Sequence, residues 1–122
     1  GAQRFIDPAL YDQDIPRTVE AIRRLGNLPA EVQVFGLDEI VLVAVPAEYF
    51  VQFGLKIKEQ AYPRHALVVG YANGMVGYVP TSEALARGGY ESTFRRGSWL
   101  APEAGEILAA TAVELINQVP IQ

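Results

Sequence analysis

Two short apolar runs, one on each side of a helix-like segment, constrain the fold of this chain more than any other feature. Residues 40–45 and 66–70 have the near-continuous apolar character that is typical of strands buried on both faces. Between these runs, Phe50, Phe53 and Ile57 recur at helical spacing. A strand, a helix and a second strand in this order predict a parallel pair of strands joined by a right-handed crossover.

The segments around this βαβ unit predict its partners in the fold. We expect a strand near residues 32–35, a short further strand near residues 76–79, and a final helix after Pro102. Thr81 is placed to cap a short helix that runs through Arg87. The fold class is therefore predicted to be α+β, α/β-like in its centre, with a small mixed β-sheet packed against three to four helices.

The beginning of the chain differs from the rest in composition. Its first fifteen residues are polar and turn-rich, and we expect residues 1–15 to form a flexible arm. Pro16 suits the first turn of a helix that Gly26 ends. Residues 16–122 would then form a single α+β domain, which is a reasonable size for one hydrophobic core.

Charge and cysteine content exclude several functional classes. The formal net charge is −4, so nucleic-acid binding has little support. The absence of cysteine excludes disulfides and thiol nucleophiles. The chain has one histidine, His65, at the start of the second apolar run and therefore at the opposite end of that strand from residue 70. Catalytic zinc normally takes about three protein ligands, usually including two or more histidines, so this chain cannot complete such a site alone.

A carboxylate and two phenols are the strongest candidates for chemistry. Glu48 follows the first apolar run, and the segment that ends at Tyr78 follows the second. Because ligands gather beyond the carboxyl ends of parallel strands, we expect these two side chains to converge. Glu48 could ligate a metal, act as a base, or simply interact with the dipole of the following helix. Tyr78 and Tyr90 could supply a ligand or hydrogen-bond donors, or could be ordinary packing residues.

Several short motifs in order resemble the closing part of the catalytic domain of neutral/alkaline non-lysosomal ceramidase-like proteins. They are Val45-Pro46-Ala47-Glu48, a stretch that contains Asn73, Tyr78 and Thr81, and the pair Tyr90-Glu91. The resemblance extends from about residue 31 to about residue 110. Two positions depart from the family pattern: Ala47 stands where glycine is usual, and Met75 stands where a tyrosine is usual.

The resemblance implies a role for each matched residue. Glu48 and Tyr78 correspond to zinc ligands, and Tyr90 corresponds to a catalytic tyrosine near the scissile carbonyl. Further candidates for the substrate pocket are the remaining matched residues, Asn73, Met75, Thr81 and Glu91. Two histidine ligands and a serine would lie in an upstream catalytic segment of the same parent chain.

The resemblance also implies a function for that parent. The chain would be the C-terminal segment of a zinc-dependent hydrolase that splits an N-acyl bond in ceramide or another lipid amide. The isolated segment would be inactive and would bind zinc weakly or not at all, whereas the complete parent would hold the ion. The sequence leaves the location of the protein unknown; if the protein is like the family, it would be secreted, periplasmic or membrane-associated.

Two other interpretations of the sequence stay open. The chain could be a non-catalytic module that binds an unknown ligand or forms a homo-oligomer through the apolar surface of its sheet. It could also be a small independent enzyme in which Glu48 and Glu91 form an acid/base pair, which requires a defined separation between the two carboxyl groups.

Overall fold

The computed structural model describes residues 8–94 and 97–121; residues 1–7, part of the predicted arm, lie outside this range. The elements follow one another in an α+β order. The helices are α1 (Pro8–Leu25), α2 (Val51–Ala61), α3 (Ser82–Arg87) and α4 (Ala104–Gln118), and the strands are β1 (Gln33–Leu37), β2 (Ile40–Ala44), β3 (Glu48–Tyr49), β4 (His65–Val69) and β5 (Tyr78–Val79).

The main sheet is mixed and has the strand order β1-β2-β4. β1 pairs antiparallel with β2, and β2 pairs parallel with β4, with Ile40 opposite His65 and Ala44 opposite Val69. The predicted parallel pair around a helix is therefore confirmed. A second, two-stranded sheet pairs β3 with β5 in parallel.

The hydrophobic core lies between one face of the main sheet and helices α2 and α4. Val41 and Val43 are fully buried on the sheet. α2 contributes Phe53 and Ile57, the two residues whose helical spacing predicted this helix, and α4 contributes an apolar stripe that includes Leu108, Ala112 and Ile116. A helical face with apolar residues at this spacing buries itself best against a flat apolar sheet face, so the two layers stabilise each other.

Hydrogen bonds from two side chains, those of Arg64 and Tyr49, hold α4 in place. The Nη1 atom of Arg64 donates to the carbonyl of Ile116 at 2.9 Å, and its Nη2 atom donates to the carbonyl of Val119. A guanidinium at a helix C-terminus satisfies carbonyls that have no partner within the helix and interacts favourably with the helix dipole. The hydroxyl of Tyr49 donates to the carbonyl of Gly105 at 2.7 Å, near the start of the helix.

The predicted start of the first helix at Pro16 is wrong, because α1 begins at Pro8. Residues 8–15, which the sequence placed in the arm, are therefore helical. A proline suits the first turn of a helix, where its missing amide hydrogen has no intrahelical role. The chain offers two such prolines, and the first one takes this position. Pro16 lies inside the helix, where it removes one backbone hydrogen bond without ending the helix.

The prediction that both apolar runs are buried on both faces is also wrong. In β4, Leu67 is 51% exposed and Val69 is 41% exposed, and Ile40 at the start of β2 is 41% exposed. The physical reason is that both well-packed helices, α2 and α4, lie on the same face of the sheet. β4 is moreover an edge strand, so only one of its neighbours is a strand.

Candidate functional site: a carboxylate surrounded by phenols

Glu48 and Tyr78 lie directly opposite each other in the small parallel sheet. They are register partners in the pairing of β3 with β5. Side chains that are opposite on neighbouring strands point to the same side of a sheet and come within contact distance. The Tyr78 hydroxyl is hydrogen-bonded to the Glu48 carboxylate, and this bond is the main reason that the pKa of Tyr78 is raised to about 12. The phenol is therefore neutral at physiological pH and donates to the carboxylate.

The backbone of residues 45–48 is hydrogen-bonded to a neighbouring segment on each side, and these bonds fix the backbone position of Glu48. On one side, the amide of Ala72 donates to the carbonyl of Val45 at 3.1 Å. On the other side, the amide of Val76 donates to the carbonyl of Pro46 at 2.7 Å, and the amide of Glu48 donates to the carbonyl of Gly77 at 3.0 Å. Main-chain hydrogen bonds therefore fix the segment that carries the carboxylate.

Gly77 is required where this segment meets the loop that contains Gly97. Its φ is +94°, and a Cβ atom there would lie 2.5 Å from the carbonyl oxygen of Gly97. Only glycine combines this backbone conformation with so close an approach. The adjacent amide of Tyr78 donates to the same carbonyl at 2.7 Å, so the loop that contains Gly97 sets the position of the phenol.

Tyr71 is a further member of the site that the sequence analysis did not identify. It follows β4, its amide donates to the carbonyl of Ala47 at 3.1 Å, and its ring is 66% exposed. Hydrogen bonding with the Glu48 carboxylate is the main cause that raises the pKa of Tyr71 above its ordinary value. Its φ is 55°, a left-handed conformation that costs roughly 1–2 kcal/mol for a residue other than glycine. The signal that could have found Tyr71 is its position just beyond the carboxyl end of a parallel strand.

Tyr90 completes the group from the far side of α3. Its ring packs edge-on against the ring of Tyr78, with centroids 5.9 Å apart and an interplanar angle of 80°. This is a favoured geometry for two aromatic rings. We call Glu48, Tyr71, Tyr78 and Tyr90 the phenol–carboxylate cluster. A cavity of about 360 Å³ borders this cluster and is lined by Ala47, Glu48, Tyr49, Phe50, Gly70, Tyr71 and Tyr78.

The other residues singled out from the sequence have different surroundings. Asn73 donates through Nδ2 to Oε1 of Gln33 at 3.0 Å, and together with Met75 it lines a second cavity of about 390 Å³. The Thr81 hydroxyl accepts from the amide of Ala84 at 3.1 Å, so the predicted cap of α3 is confirmed. The side chain of Glu91 is exposed, and its carbonyl accepts from the hydroxyl of Ser98 at 2.6 Å. Roles for these four residues in a pocket stay predictions.

The cluster offers oxygen donors to a metal, but not a complete ligand set. A carboxylate and a phenol are both suitable zinc ligands in chemical terms. Within the part of the chain that the structure describes, no three His, Cys, Asp or Glu side chains lie close enough to hold a metal ion. His65 begins β4, whereas Tyr71 follows the end of that strand, so the single imidazole lies away from the cluster as predicted.

No helix among residues 8–94 and 97–121 has the length and apolar character needed to cross a bilayer. The four members of the cluster come from four different places in the chain, namely β3, the segment after β4, β5 and the segment after α3, so their convergence depends on the tertiary fold.

Known proteins resemble this chain both in sequence and in fold. No family model matches the chain. The chain is 30% identical over 99 residues to the neutral ceramidase of Pseudomonas aeruginosa strain PAO1, which covers 75% of this chain and 15% of that protein. The chain thus spans only about 15% of the length of this relative.

Two solved structures have a similar fold. A ceramidase complexed with C2 aligns with a TM-score of 0.62 at 24% identity, over 75% of this chain and 15% of that one. The crystal structure of the neutral ceramidase from Pseudomonas aeruginosa aligns with a TM-score of 0.55 at 28% identity, over 75% and 16%. In sequence and in fold, the chain is therefore similar to a partial segment of a ceramidase.

Proposed function

We propose that this chain supplies two metal ligands and part of the reaction pocket of a ceramidase-like amide hydrolase. The observation that carries the proposal is the register pairing of Glu48 with Tyr78, which places the two side chains on the same side of the small sheet; hydrogen bonding with the Glu48 carboxylate raises the pKa of Tyr78 to about 12. The similarity to a ceramidase segment supports the same reading, because the phenol–carboxylate cluster falls within a chain that aligns over 75% of its length.

In this proposal, Glu48 and Tyr78 hold a zinc ion together with ligands from elsewhere in the parent chain. When bound, zinc supplies a Lewis acid that polarises the carbonyl of an N-acyl bond and acidifies a water molecule. Without the ion, the Tyr78 proton lies in a hydrogen bond to Glu48, and the main chain already holds the carboxylate at the cavity. Both oxygen donors are therefore largely preorganised.

The two remaining phenols have different roles. The hydroxyl of Tyr71 donates to the carboxylate of Glu48 and so orients it. The carboxylate oxygen nearer to Tyr78 then faces the ion. Tyr90, whose ring packs on Tyr78, donates a hydrogen bond to the oxygen of the scissile carbonyl as negative charge develops there. Tyr90 is the catalytic residue that this chain contributes, and Tyr71 is a positioning residue.

The proposed substrate is ceramide or another lipid amide. Hydrolysis adds the hydroxyl of water to the acyl carbon and a proton to the amide nitrogen, which releases a fatty acid and an amine. The cavity beside Glu48 would accept the polar amide end. Asn73, Met75, Thr81 and Glu91 are proposed to contribute to the surroundings of this end of the substrate.

The isolated chain is proposed to be inactive and to need the parent's other ligands. Two oxygen donors fall short of the three protein ligands that a catalytic zinc site normally has. Residues 16–122, extended by the start of α1, are proposed to be one α+β unit within a larger catalytic domain. The upstream catalytic segment of the same chain is its partner, and a secreted, periplasmic or membrane-associated location follows from the family.

The proposal is tested on the protein encoded by the complete reading frame, purified with its metal. Zinc content is measured by mass spectrometry and activity by release of fatty acid from an N-acyl amide. Glu48→Gln and Tyr78→Phe should lower zinc content and activity together. Tyr90→Phe should keep the zinc and lower activity by roughly 10²-fold or more, as expected for the loss of an oxyanion donor.

Matched controls use the same chemical changes on exposed side chains away from the cluster. Glu39→Gln lies in the turn before β2, and Tyr62→Phe changes a tyrosine that is 83% exposed. Both controls should leave zinc content and activity unchanged. Full zinc occupancy and full activity in Glu48→Gln would contradict the proposed ligand role.

A further inference from the structure

The main sheet has one covered face and one open face. The register places Phe35 opposite Leu42 and Leu42 opposite Leu67, so these three residues lie side by side on one face of three adjacent strands. Leu37 opposite Ile40, and Val69 two residues beyond Leu67, extend the same row. We call this the open sheet face; it consists of Phe35, Leu37, Ile40, Leu42, Leu67 and Val69.

The side chains of this face are strongly exposed for their type. Phe35 is 54% exposed, Leu37 is 71% exposed and Leu67 is 51% exposed. On the covered face, by contrast, Val41 and Val43 are fully buried beneath α2 and α4. A sheet that faces water on one side normally alternates apolar and polar residues. Here, the open sheet face is mostly apolar, with Gln33 and His65 as polar members at its margins, and its large apolar side chains are left exposed in this chain.

The open sheet face is continuous with the phenol–carboxylate cluster. β2 runs from Ile40 on this face toward Glu48, and β4 runs from Leu67 and Val69 directly into Tyr71. Any layer that covers the carboxyl-terminal end of these strands therefore also comes next to the cluster. The surface that lacks a cover and the site that lacks ligands adjoin each other.

We propose that the open sheet face is the docking surface for an apolar layer formed by the rest of the parent chain. This inference rests on the proposed function, because it assumes the same parent. The length of the ceramidase relative favours this occupant. The chain matches only 15% of that relative, so most of such a protein lies outside the segment. A second copy of this chain would also bury the face, but the one histidine that it could bring to the cluster would be its own His65.

The test compares one substitution in two proteins, the isolated chain and the product of the complete reading frame. Leu67→Glu and Leu37→Glu place a charge on the open sheet face. In the complete protein, each should lower the melting temperature by several degrees or more, because it buries an unpaired charge. In the isolated chain, where these positions are exposed, the same substitutions should leave the melting temperature nearly unchanged and should reduce binding of a hydrophobic dye.

Leu55→Glu is the matched control, because Leu55 is 59% exposed on α2 and lies away from this face. It should have little effect in either protein. Equal effects of Leu67→Glu in both proteins would overturn the proposal. So would an isolated chain that sediments as a dimer and becomes monomeric on Leu67→Glu, or a complete reading frame that encodes only this segment.

The result is separable from the test of the metal site. If Leu67→Glu destabilises only the complete protein while Glu48→Gln keeps its zinc, the docking surface stands and the proposed ligand role fails. If Glu48→Gln loses its zinc while Leu67→Glu has no effect, the reverse holds.

Discussion

At the residue scale, the phenol–carboxylate cluster depends on hydrogen bonds that tyrosines donate to one carboxylate. The pKa of Tyr78 is raised from 10.0 to about 12 by this bond first, and by burial and the charge of Glu48 next. Because the folded pKa lies above the unfolded one, the bond contributes stability fully below about pH 10. That contribution is lost as the pH rises from about 10 toward 12.

Glu48→Gln should therefore lower the pKa of Tyr78 toward its ordinary value, because the acceptor loses its negative charge. The measurement is a titration of the tyrosinate absorbance in the isolated chain. Tyr78→Phe identifies which transition belongs to Tyr78, since that transition disappears in the variant. An unchanged transition in Glu48→Gln would mean that the phenol is not bonded to this carboxylate.

The backbone of Tyr71 gives a second prediction at this scale. Its positive φ of 55° is strained for tyrosine and natural for glycine. Tyr71→Gly should raise the stability of the isolated chain by about 0.5–1 kcal/mol, since relief of strain exceeds the added entropy of the unfolded chain. Chemical denaturation measures this change.

Tyr71→Phe is the control for that experiment, because it removes the hydroxyl and keeps the strained backbone. It should not stabilise the chain. In the complete protein, both variants should weaken the orientation of Glu48 and so lower activity. A Tyr71→Gly variant less stable than Tyr71→Phe would show that the ring's contacts outweigh the strain.

The sequence revealed part of this site, and the reasons for the rest are physical. Glu48 and Tyr78 could be paired from the rule that parallel strands end at one edge of a sheet. Tyr71 follows the same rule but sits in a conformation that no sequence pattern announces. The contact of Tyr90 with Tyr78 depends on the path of the chain around α3, which local spacing does not specify.

At the element scale, helices α2 and α4 approach each other closely at a glycine. A Cβ atom on Gly105 of α4 would lie 2.0 Å from Cζ of Phe53 on α2. Tyr49 stacks on that same phenylalanine ring, with centroids 4.8 Å apart, and bonds to the carbonyl of Gly105, so the ring cannot move away freely. This contact sets the distance between α2 and α4.

Gly105→Ala should destabilise the chain by about 1–3 kcal/mol, the usual cost of overpacking a core. Gly54→Ala is the matched comparison, because a Cβ atom there meets Val68 only at 3.9 Å, an ordinary contact. That change should stabilise α2 by about 0.5–1 kcal/mol, since alanine is the better helix former. Thermal and chemical denaturation should give opposite signs for the two variants.

The elements themselves were predictable where they carried a long periodic pattern. The helical spacing of Phe53 and Ile57 marked α2, and Thr81 marked the start of α3. β3 has only two residues, and it is a strand because Glu48 pairs with Tyr78, which is a tertiary relation. The start of α1 was missed because Pro8 and Pro16 are equally good helix-starting residues by local rules.

At the scale of the whole molecule, the sheet is covered on one face only. The sequence correctly indicated two apolar strands but could not indicate what covers them, because periodicity reports the character of a face and not its neighbour. The exposed state of Leu67 and Val69 follows from α2 and α4 sharing one side. This is the property expected of a segment whose other half of the core lies elsewhere in a longer chain.

The isolated chain should therefore bind zinc weakly. Isothermal titration with zinc should show no stoichiometric site of micromolar or tighter affinity, because the two proposed ligands are oxygen donors and the described residues contain no group of three His, Cys, Asp or Glu side chains that could hold the ion. Glu48→Gln should leave this weak binding unchanged. A tight one-to-one site that Glu48→Gln abolishes would mean that the segment builds a metal centre without its parent.

The short helix α3 separates the two phenols that pack together, and this separation has an evolutionary consequence. Tyr78 is tied to the strand pair, whereas Tyr90 follows α3 and the flexible pair Gly88 and Gly89, whose φ values are 73° and 139°. Insertions or deletions in this connection can therefore move Tyr90 relative to Tyr78 while leaving the carboxylate undisturbed. Lineages that diverge in the molecules they accept should vary here first.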